Sequence, residues 1–221
     1  MFGVVLLVPE MKRSSSVQVE FGMSSESLLL ELEDLARVGW ADIWKGPPLP
    51  GHPGFDEWCA RYEWKPQTVE RDLKVLTRHG NVIKLAANGH WDPVVSLKFF
   101  DPQWRAETSV VEEKMAVVEE GVAAWQRYTE LVSGVWGELT WSGAAGDSDF
   151  PESPVDGFWW KPETAKGNPF RLSLWEPSRG VDGPVVLLTL GVAGFTWDAE
   201  GGAASVLKIA FCPPAEAASR G

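Results

Sequence analysis

Few residues in this chain have the type and spacing for bond-breaking chemistry. The histidines are His52, His79 and His90, one in a proline-rich loop, one at a helix end and one in a turn. None stands at metal-ligand spacing from another histidine or a cysteine, no serine occupies a Gly-x-Ser-x-Gly elbow, and no glycine-rich phosphate loop occurs. Cys59 and Cys212 lie far apart with no Cys-x-x-Cys spacing, which indicates neither a disulfide framework nor a zinc site and makes a reducing cytoplasm the default. The sequence therefore assigns no catalytic residue, no metal ligand and no cofactor, and the chain reads as a binding protein, not an enzyme.

Two features could bind. Residues 146–157 hold Asp147, Asp149, Glu152 and Asp156 with no basic residue among them. Spaced carboxylates could ligate Ca²⁺, but the loop glycine and terminal glutamate of EF-hand spacing are missing. That leaves a solvated loop or a patch that docks a basic partner. Next comes the pair Trp159-Trp160, whose side chains would point to opposite faces of a strand. One of them then faces solvent on a sheet covered on one side, and Trp is a favoured interface anchor. The candidate partner-binding set is Asp147, Asp149, Glu152, Asp156, Trp159 and Trp160.

Charge points the same way. With 31 acidic against 20 basic residues the net charge is −11, a field that repels nucleic acid and anionic lipid and attracts a basic protein. Thirteen tryptophans carry an aromatic load usually shared with tyrosine, of which there are only two. No apolar run is long enough to span a bilayer: residues 2–8 are too few, and residues 185–195 are broken by Thr189, Gly191 and Gly194.

The elements that must position these residues follow from periodicity. From Ser109 to Trp136, apolar residues at Val111, Met115, Val118, Val122, Trp125, Val132 and Trp136 fall on one helical stripe, which Val110, Val117, Ala124, Tyr128, Leu131 and Val135 widen. A helix of about 25 residues would be roughly 38 Å long. Ser109 with Glu112 reads as a capping box. Upstream, Ser24 or Ser25 caps a helix carrying Leu28, Leu29, Leu32, Leu35 and Val38, ended by Gly39. Phe55, Trp58, Tyr62 and Trp64 form an aromatic cluster on a short helix after the proline loop. Val69, Leu73 and Leu76 predict a helix over 68–78, and a hairpin follows, with Ile83 and Leu85 facing Val95, Leu97 and Phe99 across Asn88-Gly89.

After the long helix, strands are expected at 138–141, 157–161, 170–175, 185–190, 194–197 and 205–211, with 170–175 half exposed and 185–190 central. The expected fold is α+β: an antiparallel, meandering sheet with the long helix (about 109–136) and shorter helices on one face. Residues 1–22 read as a disordered leader or a misassigned start and 213–221 as a loose tail. Residues 23–212 form a single domain, with a hint of two similar halves at 23–104 and 105–212.

Two resemblances bear on function. Residues 68–85 (TVERDLKVLTRHGNVIKL) resemble the recognition helix and wing of winged-helix repressors, which would turn Arg71, Lys74, Arg78 and His79 toward phosphates. The preceding helix-turn is absent and the net charge has the wrong sign. Val38-Gly39-Trp40, residues 92–101, 136–141 and 170–175 before 185–190 are together similar to small acidic immunity-type proteins of high-GC bacteria, including those paired with polymorphic toxins. That resemblance implies a cytoplasmic immunity or antitoxin-type inhibitor that binds a basic toxin or effector, without cofactor, nucleic acid or membrane. The alternatives are a Trp-lined pocket for a sugar or other small ring, and a winged-helix regulator.

Overall fold

The computed structural model describes residues 16–69, 72–87, 93–153, 169–177, 183–194 and 202–214. Helices α1 (Ser25–Leu35), α2 (Trp40–Lys45), α3 (Pro53–Arg61) and α4 (Lys114–Trp136) accompany ten strands. These are β1 (Gln18–Phe21), β2 (Lys65–Thr68), β3 (Leu73–Leu76), β4 (Val82–Ala87), β5 (Val94–Phe99), β6 (Trp104–Thr108), β7 (Trp141–Ala144), β8 (Arg171–Trp175), β9 (Val185–Ala193) and β10 (Ala203–Cys212). All pairings are antiparallel, in the order β2-β3-β4-β5-β10-β9-β8-β7, with β6 also on β10 and β1 on β6. The class is α+β, and the meanders β2–β5 and β7–β10 meet along β5 and β10.

Local chemistry explains the shorter helices. The Ser24 hydroxyl accepts the Ser27 N–H at 3.1 Å, and Leu28, Leu32 and Leu35 line one buried face of α1. The indole of Trp40 donates to the carbonyl of Leu35 at 3.0 Å, satisfying an orphan acceptor at the helix end. Pro53 opens α3 and the ring of His52 accepts the Gly54 N–H at 3.1 Å. Trp58, Tyr62 and Trp64 then cluster with centroids 4.9–5.6 Å apart, as expected from their spacing.

The long helix is present, but its buried centre is rotated from the expected stripe. Val117, Gly121, Ala124, Tyr128 and Val132 are buried, while Val111 and Met115 are 55% and 62% exposed. The chain enters through a 3₁₀ turn at Val111–Glu113, which breaks the phase of the first residues. The capping box does not form: Thr108 Oγ1 accepts the Val110 N–H, and Glu113, not Glu112, reaches back to the Ser16 N–H. Gly121 marks the closest approach to the sheet, where an added Cβ would lie 2.8 Å from Cβ of Ser205.

Other expectations fail for physical reasons. The described residues of 68–78 are not helical: β2 and β3 pair, and Leu73 and Val75 are buried in alternation with Lys74 and Leu76. A short apolar run fits both periods, and here the period of two wins. The winged-helix resemblance loses its recognition helix. Arg78, still exposed, and half-buried His79 are engaged by Asp34 at 2.6 and 2.8 Å. In the β4–β5 hairpin a register shift leaves Val95 out of the ladder and pairs Val94 with Ala87. Strand β8 is buried on both faces, because Ser173 sits under α4 bonded to Thr129 at 2.9 Å while Leu172 and Leu174 join a second apolar cluster opposite. Strands β8, β9 and β10 otherwise match the expected ones, and β9 is central. The strand expected at 138–141 is displaced, since β7 begins only at Trp141, and the strands expected at 157–161 and, beyond Gly194, at 194–197 lie outside the described residues. Within the segment read as a leader, β1 pairs with β6, so the domain extends upstream of Met23. Strand β6 was not anticipated.

Strands β5 and β6 run along the same edge of β10 but are interrupted at residues 100–103. Gln103 fills the interruption. Its buried side chain accepts the Ile209 N–H at 2.6 Å, its N–H donates to Leu207 at 3.0 Å, and its amide donates to the Asp101 carbonyl at 2.9 Å. Its own carbonyl accepts from the Gly22 N–H and the Tyr128 hydroxyl, each at 3.1 Å.

Gln103→Ala is expected to cost about 2–4 kcal/mol, since it opens a cavity and orphans a buried N–H. Denaturant unfolding and exchange at the Ile209 amide measure this, and a loss under about 0.5 kcal/mol would refute the role. Gly121→Ala is expected to destabilise by about 1–3 kcal/mol through overpacking. Gly134→Ala in the same helix, where an added Cβ meets nothing within 4 Å, is expected to stabilise by about 0.5–1 kcal/mol.

Candidate functional site

Strand β7 ends one side of the sheet, pairing with β8 alone among the described residues. The turn after it is built on Asp147. Its N–H donates to the Ala144 carbonyl at 3.0 Å, and its carboxylate accepts the Ala144 N–H at 2.6 Å. The carboxylate lies so close over Gly143 that a Cβ there would fall 2.4 Å from it, and a side chain at this position would have to displace it. The Asp147 carbonyl accepts the Phe150 N–H at 3.1 Å. Phe150 in turn meets Trp141 edge-on, centroids 5.3 Å apart, and the Trp141 indole donates to the Asp149 carboxylate at 3.1 Å.

Asp147 and Asp149 are thus oriented by the loop's own donors, with their remaining lone pairs outward. Both are exposed, as is Glu152, and no basic side chain pairs with any of the three among the described residues. Asp147 and Asp149 lie in this turn, and Glu152 follows it along the chain. Asp156, Trp159 and Trp160 lie outside the described residues. Trp141 takes the aromatic place beside the carboxylates, half-buried. Its signal in the sequence was the spacing Trp141-x₇-Asp149, which places an indole N–H within reach of a carboxylate once the strand turns.

Strand register shows where Trp141 points. Leu174, Leu187 and Ala210 stand beside it in a single cross-strand row on the face of the sheet opposite α4. That face holds the second cluster of Leu172, Leu174, Val185, Leu187 and Cys212, against which Trp141 and Phe150 pack. The other described tryptophans serve the core. Trp40, Trp44, Trp58, Trp64, Trp104 and Trp175 are buried, and Trp125 and Trp136 are half-buried.

Other polar groups are tied into the framework. Glu31, 2% exposed, accepts from the Thr77 hydroxyl and from the Asn81 amide at 2.8 Å, joining α1 to the β3–β4 turn. One open cavity of about 400 Å³ is lined by Ser16, Glu107, Thr108, Ser109, Gly194 and Gly202 among others, and no tryptophan among the described residues lines it. Among the described residues no cluster of three metal-ligating side chains occurs, and no helix is long and apolar enough to cross a membrane. No family model matches the chain, and no curated protein or solved structure matches it either.

Both cysteines are free and buried. Burial, with Asp56 beside it, pushes the Cys59 thiol up to about 11. Burial pushes Cys212 up to about 12 against the opposing pull of Lys98. Neither supplies a thiolate near neutral pH. The fold holds these protons more tightly than the unfolded chain, so their contribution is whole below the ordinary thiol value of 9.0 and is lost as pH rises through about 11 and 12. Iodoacetamide at pH near 8 is therefore expected to label neither cysteine in the native protein and both after denaturation. The denaturant midpoint is expected to fall progressively above pH 9.0. Rapid labelling of the native protein would contradict both statements.

Proposed function

We propose that the protein is a stoichiometric binding protein of the cytoplasm that captures a basic protein partner, acting as an immunity or antitoxin-type inhibitor of a toxin or effector. The observation that carries this reading is the pair Asp147 and Asp149, held by Ala144 and Trp141 with no cation of the described chain to neutralise them. Carboxylates ordered before binding lose little further entropy when a partner's lysine or arginine arrives. Glu152 adds a third exposed charge, and the outer edge of β7 pairs with no strand among the described residues. Trp141 and Phe150 supply an aromatic base of the kind on which interface contacts concentrate. The net charge of −11 steers a basic partner toward any face, and the loop selects where it docks.

Affinity capture from native lysate at low salt, followed by reconstitution with the captured protein purified alone, tests this reading. The expected result is a basic protein bound one to one and inhibited by binding, with an association rate falling about tenfold or more from low to high salt. Asp147→Asn, Asp149→Asn and Glu152→Gln together should weaken binding about tenfold or more while preserving the loop's hydrogen bonds. Recovery of no protein partner, or a partner bound equally well by the triple variant, would overturn the proposal.

A further inference from the structure

The same outer face carries the opposite charge at its other end. Lys74 of β3 pairs in register with Lys84 of β4, and Lys84 with Lys98 of β5. The row then passes to Ala210 of β10, and Lys208 lies two residues along the same face of that strand. Neighbouring strands are about 4.8 Å apart, so the three lysines of the row arise within about 10 Å. Like charges directly opposite one another destabilise a sheet. Here two such pairs follow in succession, in a chain with 31 acidic residues from which a neutralising carboxylate could be drawn.

Only one of the four has a carboxylate of its own. Lys84 binds Asp72 at 2.6 Å, and Lys74 lies over the half-exposed ring of Phe100, 3.6 Å from its centroid. The ammonium groups of Lys98 and Lys208 form no ion pair among the described residues. Lys98 is half-buried, and its pKa is pulled down first by that burial and then by Lys84 and Lys208. Asp72 offsets part of this charge, but burial and the neighbouring lysines outweigh it at Lys98, and an anion seated there would relieve the remainder.

We propose that Lys74, Lys84, Lys98 and Lys208 bind a small oligophosphate anion laid across β3, β4, β5 and β10. Lysine ammonium groups serve phosphate as point charges, and several within about 10 Å suit two or three linked phosphates. A long nucleic acid would meet the repulsion of the whole acidic molecule. A short anion feels mainly its immediate surroundings, because the Debye length is about 8 Å at physiological salt and β7 lies about 19 Å from Lys98, four strand spacings away. The site shares no residue with the acidic loop, so it stands or falls independently of the partner reading.

Thermal unfolding with inorganic tripolyphosphate, at ionic strength held constant with sodium chloride, tests the site. A saturable rise in midpoint is expected, with apparent affinity about tenfold or more weaker in Lys98→Gln/Lys208→Gln. The triple variant Asp147→Asn/Asp149→Asn/Glu152→Gln should keep the effect in full. Amine acylation of the unaltered protein gives a second readout that needs no variant: tripolyphosphate should protect Lys74, Lys84, Lys98 and Lys208 and leave Lys45 reactive. Adenosine triphosphate without metal distinguishes the source. Tighter binding than tripolyphosphate indicates a ring-bearing ligand seated against Phe100, and equal binding indicates a free phosphate chain. No saturable rise beyond that of sodium chloride, or a rise unchanged in the double variant, would overturn the proposal.

Discussion

The sheet depends on how β10 is paired along one edge by two separate strands. A break of four residues between β5 and β6 would leave β10 with unsatisfied groups in the middle of the core, where an unpaired backbone donor costs as much as a lost hydrogen bond. The side chain of Gln103 imitates the missing strand, accepting from Ile209 where a backbone carbonyl would have stood. Its carbonyl, with two lone pairs, also gathers Gly22 from the end of β1 and Tyr128 from α4. One residue therefore ties the N-terminal strand, the long helix and both meanders to the central strand. Gly22 has to be glycine for the same reason, since an added Cβ would lie 2.0 Å from the Pro102 carbonyl oxygen.

Around that centre the two faces of the sheet divide their work. The helix side is mainly apolar and takes most of the described tryptophans, with Trp40 stacked on Phe211, centroids 5.4 Å apart, and Trp136 tilted against Phe211 at 5.8 Å. Large rings fill volume efficiently, but the indole N–H groups of Trp44, Trp58, Trp125 and Trp136 are left without partners in that packing. Apolar contact outweighs these losses. The opposite face is sorted by charge, with lysines on β3, β4, β5 and β10, an apolar centre on β8 and β9, and carboxylates beyond β7. A net charge of −11 averages over this arrangement and conceals it. Binding is governed by potentials within a Debye length, so the two ends of the face act as distinct surfaces.

Much of the architecture was legible in residue order, and the failures have definite causes. The helix α1 follows from its cap and period, the existence of α3 and α4 from their periods alone, and the strands β8, β9 and β10 from apolar runs between turn residues. The phase of α4 was misread because Gly121 counts as a gap in an apolar stripe, whereas at a close helix–sheet approach the absence of a side chain is what packing requires. The hairpin β2–β3 was misread because Val69, Leu73 and Leu76 satisfy a helical spacing that Leu73 and Val75 satisfy equally well as a strand. Strand β6 escaped notice because its alternation of Trp104, Ala106 and Thr108 mixes a large, a small and a polar residue, all of them buried. At the candidate site the sequence supplied the carboxylates but not their support. The contribution of Ala144 is a backbone N–H, which no pattern of side chains reveals, and that of Trp141 needs the turn before its distance to Asp149 has meaning. The lysine row depends wholly on register across four strands that are distant in sequence.

Edge strands explain why charge collects where it does. An open edge invites pairing with another copy of the same chain, and proteins blunt it with charge, proline or irregular backbone. Strand β2 carries Lys65 and Pro66 at one end of the sheet. Strand β7, at the other end, has a bond to its Ala144 N–H taken by the Asp147 carboxylate, which both satisfies an edge donor and fixes a negative charge beside the strand. A second copy approaching that edge would bring its own carboxylates against these and be repelled. A basic chain would meet attraction at the same place, with the Trp141 and Phe150 rings beneath it. The sign of one loop's charge thus discourages self-association and, in the proposed function, selects the partner, so removing it should relax both kinds of discrimination together.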